Sequence, residues 1–332
     1  YADFLKDERL KEGKDTRLIN GCSLQNTILW KSYCGDFFAA YQRAGLDVGS
    51  AIGINIFGSG MNDIANKLLT NSNIIMDGDF TAFGPTLMPE AIAIVRDMCM
   101  KWYRYQLGDK ISPQDELVRY CLFSSLINCV HVAGDCFYQT LCGSPSGSPI
   151  TAPINTLVHT IYLVCVWMIR FKERGLANLH AFDKYFKYVL YGDDGIYSIH
   201  PKMSELFNVV VIGNILERYN IKFTDSSKMG TIKYQTLDKC SFLKCAFKLH
   251  PTRRLWLAAL EPTVIEDIIN WVRLPVPDMD ALLEDNALAM SRFAFHHGPD
   301  YYATVVQTLM EGFEKRGKIV HFPDWQSLDD LF

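Results

Sequence analysis

The spacing of hydrophobic and polar positions changes repeatedly along this chain, and each change predicts an element. Residues 1–20 are dense in alternating charge and predict a charged hairpin. Residues 21–70 mix short helical patterns with glycine-rich turns such as Gly58-Ser59-Gly60. The run Ile74-Ile75-Met76 leads into Asp77-Gly78-Asp79-Phe80, a buried strand that ends in acid. From about Pro89 the apolar positions Ile92, Val95, Cys99 and Trp102 have helical spacing, with proline at the start. Residues 112–140 predict a further helix opening at Ser112-Pro113. The loop over 143–149 contains glycine, serine and proline and feeds an apolar helix over 150–169. Two short apolar runs follow, Tyr188-Val189-Leu190 and Ile196-Tyr197-Ser198-Ile199, with Tyr191-Gly192-Asp193-Asp194 between them. They predict two strands with an acidic turn. A helix over 204–219, capped by Ser204, precedes short strands near 221–224, 241–249 and 255–260. After Pro262 the pattern is helical to the end, broken at Pro275-Val276-Pro277. Strands alternating with helices, then a helical tail, predict an α+β body with a helical lobe.

At 332 residues the chain is long enough for two or three lobes, and 49% hydrophobic with 21% charged residues is a globular composition. Net charge is −4, so no global basic field advertises a polyanion, and any such contact must be local. One local strip exists: Lys233, Lys239, Lys244, Lys248, Arg253 and Arg254 against Asp238 alone. It suits a nucleic-acid backbone, or equally a strand edge protected by lysine. The ten cysteines form no Cys-x-x-Cys pair, and only Cys240, Cys245 and His250 approach metal-ligand spacing. Reduced, mostly buried thiols are the better reading. No signal peptide is visible. The apolar stretch over 150–169 is interrupted by Pro153, Asn155 and His159, which favours a core helix over a membrane span. The chain starts at Tyr1 without methionine, as a fragment or processed product would.

Four features carry chemistry. Adjacent carboxylates at a turn repel, and a turn that presents Asp193 and Asp194 calls for a cation unless it is an ordinary solvated tip. Oxygen ligands select a hard ion such as Mg²⁺. Asp79 ends its own strand; if the two strands are neighbours, its carboxylate joins that pair to hold two metals about 3.5–4 Å apart, the arrangement of phosphoryl transfer. Thr151 and Asn155 lie four apart, on one helical face, and both can bond a sugar hydroxyl. The loop before them, with Ser146 and Gly147, has little bulk and admits a backbone closely. Lys228 could act as a cationic acid beside a pyrophosphate leaving group, or be a surface lysine.

The order of these segments resembles the RNA-dependent RNA polymerases of picorna-like positive-strand RNA viruses, in particular the dicistrovirus- and iflavirus-like ones of insects. The resemblance runs from residue 3 to about 260. It rests on Lys6-Asp7-Glu8 through Lys14-Asp15-Thr16-Arg17-Leu18-Ile19, on Gly78-Asp79-Phe80-Thr81-Ala82-Phe83, and on Pro145-Ser146-Gly147 with Thr151 and Asn155. It rests further on Tyr191-Gly192-Asp193-Asp194, on Lys228 and on Phe242-Leu243-Lys244. It implies a right-hand fold with fingers, palm and thumb, an antiparallel palm sheet flanked by helices. It implies Asp79, Asp193 and Asp194 as ligands of two Mg²⁺, with Mn²⁺ able to substitute, and Lys228 as acid. Lys6, Lys14 and Arg17 would hold a nucleoside triphosphate, with Ser146, Gly147, Thr151 and Asn155 around its sugar and base pair. Lys244, Lys248 and Arg253 would lie along RNA. The implied domains are partial fingers over 1–70, a palm strand over 71–88, a helical insertion over 89–140, palm over 141–260 and thumb over 261–332. The implied partners are RNA template and primer, nucleoside triphosphates and a small viral protein primer. The setting would be replication complexes in host cytoplasm, with only indirect membrane association, after release from a polyprotein.

Two departures stand out. The family places a second aspartate five residues after the first, where this chain has Gly84. Ribose recognition would then fall on Asn155, Thr151, backbone or water. The family also has a sizeable fingers segment before its basic motif, so the fingers are expected to be truncated here. Reverse transcriptases share the acidic hairpin but exclude ribose with a bulky aromatic where Gly84 stands. An inactive remnant acting as an RNA-binding scaffold is the other alternative.

Overall fold

The computed structural model describes residues 1–8, 13, 15–228, 230, 234–272 and 274–331, so Lys14 and Lys233 lie outside the described residues. The chain divides into two compact units, Tyr1–Gly53 with Met76–Tyr234, and Ile54–Ile75 with Gln235–Phe332.

Strand β1 (Ala2–Leu5) pairs antiparallel with β2 (Leu18–Gly21), the charged hairpin expected of this segment. Helix α1 (Leu24–Ala44) follows, its first turn capped by the Ser23 side chain. It is one long helix rather than the short pieces expected, because Trp30, Cys34, Phe37 and Phe38 recur on one face and are buried. Helix α2 (Met61–Leu69) belongs to the second unit. Strand β3 (Ile75–Phe80) is almost wholly buried, as its apolar start predicts. Helices α3 (Pro89–Leu107) and α4 (Pro113–Ile127) both open on proline, and Ser112 caps the second.

The helix expected over 112–140 stops at Ile127. Beyond it, β4 (Val130–Ala133) and β5 (Cys136–Gln139) form a hairpin around Gly134, whose φ of +63° suits a tight turn. Valines and aromatics there fit a pleated ladder better than a helix. This hairpin extends the first one into a four-stranded sheet of order β2-β1-β4-β5.

Helix α5 (Thr151–Phe171) packs on α3 and is the one helix among the described residues long and apolar enough to cross a membrane. Its buried residues include Asn155, Thr156 and His159 as well as Leu157, Leu163 and Trp167, so it serves as a core helix with polar work on one side. Next come α6 (Leu179–Tyr185), β6 (Phe186–Tyr191), β7 (Asp194–Ile199), α7 (Val209–Glu217) and β8 (Phe223–Asp225). Asn208, not Ser204, caps α7, accepting from the Val211 amide; Ser204 ends a short 3₁₀ turn instead. The central sheet has the order β6-β7-β3-β8. Its core is aromatic: Phe80 packs on Phe83 and Phe223, and Trp167 on Phe171, Phe182 and Phe207. Each such buried ring contributes on the order of 2 kcal/mol or more.

In the second unit β9 (Ser241–Phe242), β10 (Cys245–Leu249) and β11 (Trp256–Leu260) make an antiparallel sheet. Leu243 and Lys244, both left-handed, form its first turn. Helices α8 (Pro262–Asn270), α9 (Met279–Phe295), α10 (Pro299–Glu314) and α11 (Trp325–Leu331) complete it, with the proline break falling between α8 and α9 as expected. Ile265, Ala287, Met290, Leu309 and Phe313 form its main core.

Candidate active site

The acidic turn is built by register. Tyr191 pairs with Asp194, leaving Gly192 and Asp193 as a two-residue turn, and Gly192 takes φ +65°. Helix α5 holds this turn by both backbone groups. The Gly192 amide donates to Thr156 Oγ1 at 2.8 Å, and His159 Nδ1 lies 3.0 Å from the Gly192 carbonyl. The other ring nitrogen of His159 is 2.7 Å from the Tyr197 hydroxyl. Complete burial pushes His159 down to about 4, against the carbonyl, which favours the charged ring. The ring is therefore neutral at pH 7. Since a carbonyl only accepts, Nδ1–H donates to it and Nε2 accepts from Tyr197. Burial raises Tyr197 well above its ordinary value, and the fields of Asp194, Asp77, Asp79 and Asp193 add to that. Gly195 is required beside this clamp, because a Cβ there would lie 2.0 Å from the Tyr197 oxygen.

Strand β3 neighbours β7, which brings Asp79 to the acidic turn. Asp193 is raised above the usual carboxylate range, first by loss of water and then by the like charge of Asp79, while its own backbone amide opposes the rise. Lys228 reaches Asp79 from the turn after β8, Nζ to Oδ2 at 3.1 Å. That turn is fixed by buried Asp225, which accepts from the Ser227 hydroxyl and from the Gly230 amide at 2.6 Å. Asp79, Asp193, Asp194 and Lys228 are thus brought together, as the sequence led one to expect. Among the described residues no three His, Cys, Asp or Glu side chains close on one point as a finished metal site. The oxygen-only donor set still fits a hard cation in kind, and Lys228 supplies positive charge to it here.

A pocket of about 310 Å³ is lined by Gly84, Tyr138, Ser144, Ser146, Thr151 and Asn155, among others. Asn155 also approaches the acidic turn, its Cβ being 3.9 Å from where a side chain on Gly192 would begin. The Thr151 hydroxyl contacts the carbonyls of Pro145 and Ser148, each at 2.8 Å, and so fastens the loop to α5. Ser146 is tied to Asn20 of β2 through its amide and hydroxyl. Gly147 lies against that strand so closely that a Cβ would fall 2.0 Å from the Asn20 carbonyl. The Asn155 Oδ1 and the Ser144 Oγ are buried with no hydrogen-bond partner. One wall is a polar stack: Tyr138 lies flat on His131 at 4.8 Å, and Asp3 accepts from Tyr138, from Asn20 at 2.7 Å and from His131 at 3.0 Å. The Asp3 carboxylate holds the Tyr138 phenol up at about 12.

Arg17 and Lys6 both ion-pair with Glu8, Arg17 through two contacts and Lys6 at 3.2 Å. The Arg17 guanidinium pulls Glu8 down to about 2, against some loss of water and with help from Lys6. In the second unit Lys248 donates to the His297 carbonyl, and Arg253 is paired with Asp329, which also takes His250 Nε2 at 2.7 Å. Cys240 and Cys245 are buried free thiols.

The family model described as viral RNA-dependent RNA polymerase matches residues 1–313. The chain belongs to this family. Among curated proteins this polymerase-family chain is 30% identical over 337 residues to the genome polyprotein of deformed wing virus, covering 99% of the chain and 11% of that protein. It is 31% identical over 336 residues to the genome polyprotein of Ectropis obliqua picorna-like virus, and 29% over 313 to the replicase polyprotein of Drosophila C virus. The chain spans 100% and 91% of its own length in those two matches, and only 10% and 18% of theirs. Among solved structures the Sicinivirus 3Dpol RNA-dependent RNA polymerase matches with a TM-score of 0.78 at 21% identity, over 99% of this chain and 66% of that one. The fold is therefore the expected right-hand polymerase fold.

Sequence reasoning missed the residues that hold the acidic turn, Thr156, His159 and Tyr197. A signal existed. Three polar positions, Asn155, Thr156 and His159, fall within five residues of a mostly apolar helix, and buried polar groups need partners. It also missed the wall formed by Asp3, His131 and Tyr138, because the residues of the β4–β5 hairpin continue the helix that the pattern over 112–140 predicts.

Proposed function

We propose that this chain catalyses template-directed RNA synthesis in the replication of a viral RNA genome, transferring nucleotidyl groups from nucleoside triphosphates to an RNA hydroxyl or to the hydroxyl of a protein primer. The observation that carries the reading is the meeting of Asp79, Asp193 and Lys228 at the strand ends of the central sheet, in the unit that also holds a pocket of about 310 Å³. In the reaction a primer hydroxyl gives up its proton to water, its oxygen bonds to the α-phosphorus, the bond from that phosphorus to the bridging β-phosphate oxygen breaks, and pyrophosphate leaves. Asp79, Asp193 and Asp194 would hold two Mg²⁺, which supply charge neutralisation to the attacking and leaving oxygens. Lys228 gives a proton to the leaving pyrophosphate. Its contact with Asp79 keeps it at the carboxylate edge until phosphate competes for it. Arg17 and Lys6, with Lys14, bind the triphosphate once its oxygens replace the Glu8 carboxylate, and a guanidinium suits both.

Ser146 and Gly147 present the loop to the sugar and base pair, and Thr151 keeps it in place. Lys244 is the better candidate for contact with the primer strand, since Lys248 and Arg253 already have internal partners. In domain terms residues 1–70 and the insertion over 89–140 serve as fingers, 71–88 and 141–260 as palm and 261–332 as thumb. The polyprotein relatives support release from a polyprotein and work in host cytoplasm, and a small viral protein primer within a replication complex belongs to the same proposal. Primer extension on an RNA template with Mg²⁺ tests the reading, comparing ribonucleotides and deoxyribonucleotides beside an Asp193→Ala control. Ribonucleotide-selective extension lost in the control is the expected result. A folded, ion-binding protein that extends nothing would leave an RNA-binding role in its place.

A further inference from the structure

We infer that Asp225 is a positioning residue for the leaving-group step: its buried carboxylate brackets Lys228 and aims the ammonium at the Asp79 edge. The inference rests on the polymerase reading above and adds to it a residue outside the set described there. Asp225 ends β8 and is 1% exposed. Its two oxygens take donors from opposite sides of Lys228. Oδ1 accepts from the Ser227 hydroxyl, and Oδ2 accepts from the Gly230 amide at 2.6 Å. Its own carbonyl accepts from the Lys228 amide at 2.9 Å. The turn is therefore closed at least three times around one lysine. An aspartate that merely shapes a turn bonds the backbone two residues on, whereas this one reaches the backbone five residues on.

The lysine so held has φ +60°, a left-handed conformation that a residue with a side chain adopts only at a cost. Such a conformation persists where the surrounding contacts over-determine it. The starting point of the turn is fixed as well. Thr224 lies opposite Asp79 and Asp225 opposite Gly78 in the β3–β8 ladder, so the turn begins one residue past the direct partner of Asp79. From there Lys228 Nζ reaches Asp79 Oδ2 at 3.1 Å, although two-thirds of the lysine side chain is exposed. One exposed ion pair does little to hold a flexible, well-hydrated lysine. The aim therefore comes from the backbone beneath it, and the backbone is held by Asp225. An acid that must meet one bridging oxygen needs such aim, because a misplacement of about 1 Å can cost a factor of about 10² in rate. The proton passes from Nζ to the leaving pyrophosphate and the lysine recovers one from water, with Asp225 taking no part in the exchange.

The test is single-nucleotide incorporation by the protein in its natural flanking sequence, with kcat and KM read separately for the parent, Asp225→Ala, Lys228→Leu and the double variant. Asp225→Ala is expected to lower kcat about 10- to 100-fold and to leave KM within about threefold of the parent. In the Lys228→Leu background the same change should cost less than about twofold more, because its effect passes through the lysine. Asp225→Asn should keep most of the rate, since its amide oxygen can accept from Gly230 while its amide nitrogen donates to the Ser227 hydroxyl oxygen. Equal losses from Asp225→Ala in both backgrounds, or no loss in either, would overturn the inference. Should Asp225→Ala lose its cooperative melt, Ser227→Ala removes one exposed arm of the bracket and carries the same cycle at smaller amplitude. If the parent extends no primer at all, the polymerase reading fails by itself. The aim of Lys228 is then read without turnover, from the rate at which an amine-acylating reagent labels it, resolved by peptide mass spectrometry. Faster labelling in Asp225→Ala than in the parent supports the bracket, and equal rates refute it.

Discussion

In the first unit, Asp79 stands close enough to Asp193 to disfavour its charge, and Lys228, which pairs with Asp79, is two-thirds exposed. In the second unit Asp329 sits almost buried between Arg253 and His250, and Lys248 is bonded to a backbone carbonyl. These two sites use charge oppositely, although the first unit also has closed pairs elsewhere, such as Arg17 with Glu8. One leaves like charges facing each other on a scaffold of neutral hydrogen bonds. The other closes its charges into internal pairs that hold a strand end against α11. A repelling cluster kept in place by Thr156 and His159 costs folding stability and is retained for what it binds. A closed pair is architecture. The basic strip over 233–254 shows why the distinction needs structure, since its residues look alike in sequence and only some remain available.

The comparison is broken most severely by removing the acid of the turn. Asp193→Ala should reduce primer extension by about 10³-fold or more, without lowering the melting temperature. Retained activity within tenfold would mean that the chemistry lies elsewhere. Asp329→Ala should do the reverse. It leaves the His250 and Arg253 contacts unmatched in a buried place and should cost about 3 kcal/mol in denaturant unfolding, with extension per folded molecule unchanged. Arg253→Ala should likewise lower stability and leave the salt dependence of RNA binding alone, whereas Lys244→Ala should reduce that slope by about one if this lysine meets a phosphate. A changed slope in Arg253→Ala would return Arg253 to the RNA surface.

The clamp sharpens the comparison at smaller scale. His159→Leu removes both ring bonds and frees the Gly192 carbonyl, so the carboxylates lose their fixed aim. A loss of about 10- to 100-fold in rate is expected, as for other groups that orient metal ligands, with weaker Mn²⁺ binding by spin-resonance titration. The same ring is also a pH probe. Its folded value of about 4 lies below the ordinary 6.5, so the unfolded chain binds the extra proton between them. Stability should therefore fall as pH drops from about 6.5 to about 4, and part of that slope should vanish in His159→Leu. Buried His296 of the second unit, also lowered to about 4, and its neighbour His297, lowered too, keep part of that slope.

Much of this was legible from the chain alone, for identifiable reasons. The acidic turn, the strand carrying Asp79 and the polymerase fold announce themselves because two-residue turns and buried strands have strong local signatures. The β4–β5 hairpin did not, because its strands are only four residues each and follow directly on a real helix, so the single Gly134-Asp135 turn signal stands between runs too short to show alternation. With it went Tyr138 and His131. The clamp was illegible for another reason. Thr156 and His159 meet Gly192 across 36 and 33 residues, and such pairing is a property of the packed fold. The internal pairing of Arg253 was hidden in the same way, since Asp329 lies 76 residues on.

The smallest effect bears most directly on the contrast. Asp193 has a raised folded pKa, so the fold favours its protonated form, and near neutral pH its charge works against folding. Stability from this group is present at low pH and is lost as pH rises through the folded value. Asp193→Asn keeps the shape and removes the charge, so it should melt a few degrees higher at pH 7, on the order of 1 kcal/mol, and the gain should shrink as pH falls toward 4. Adding Mg²⁺ should raise the melting temperature of the parent more than that of Asp193→Asn, because the ion relieves the same repulsion that the amide has already removed. The parallel change in the second unit, Asp329→Asn, should lower the melting temperature. If both variants moved in the same direction, the two units would not differ in how they use charge, and the repulsion between Asp79 and Asp193 would have no functional reading.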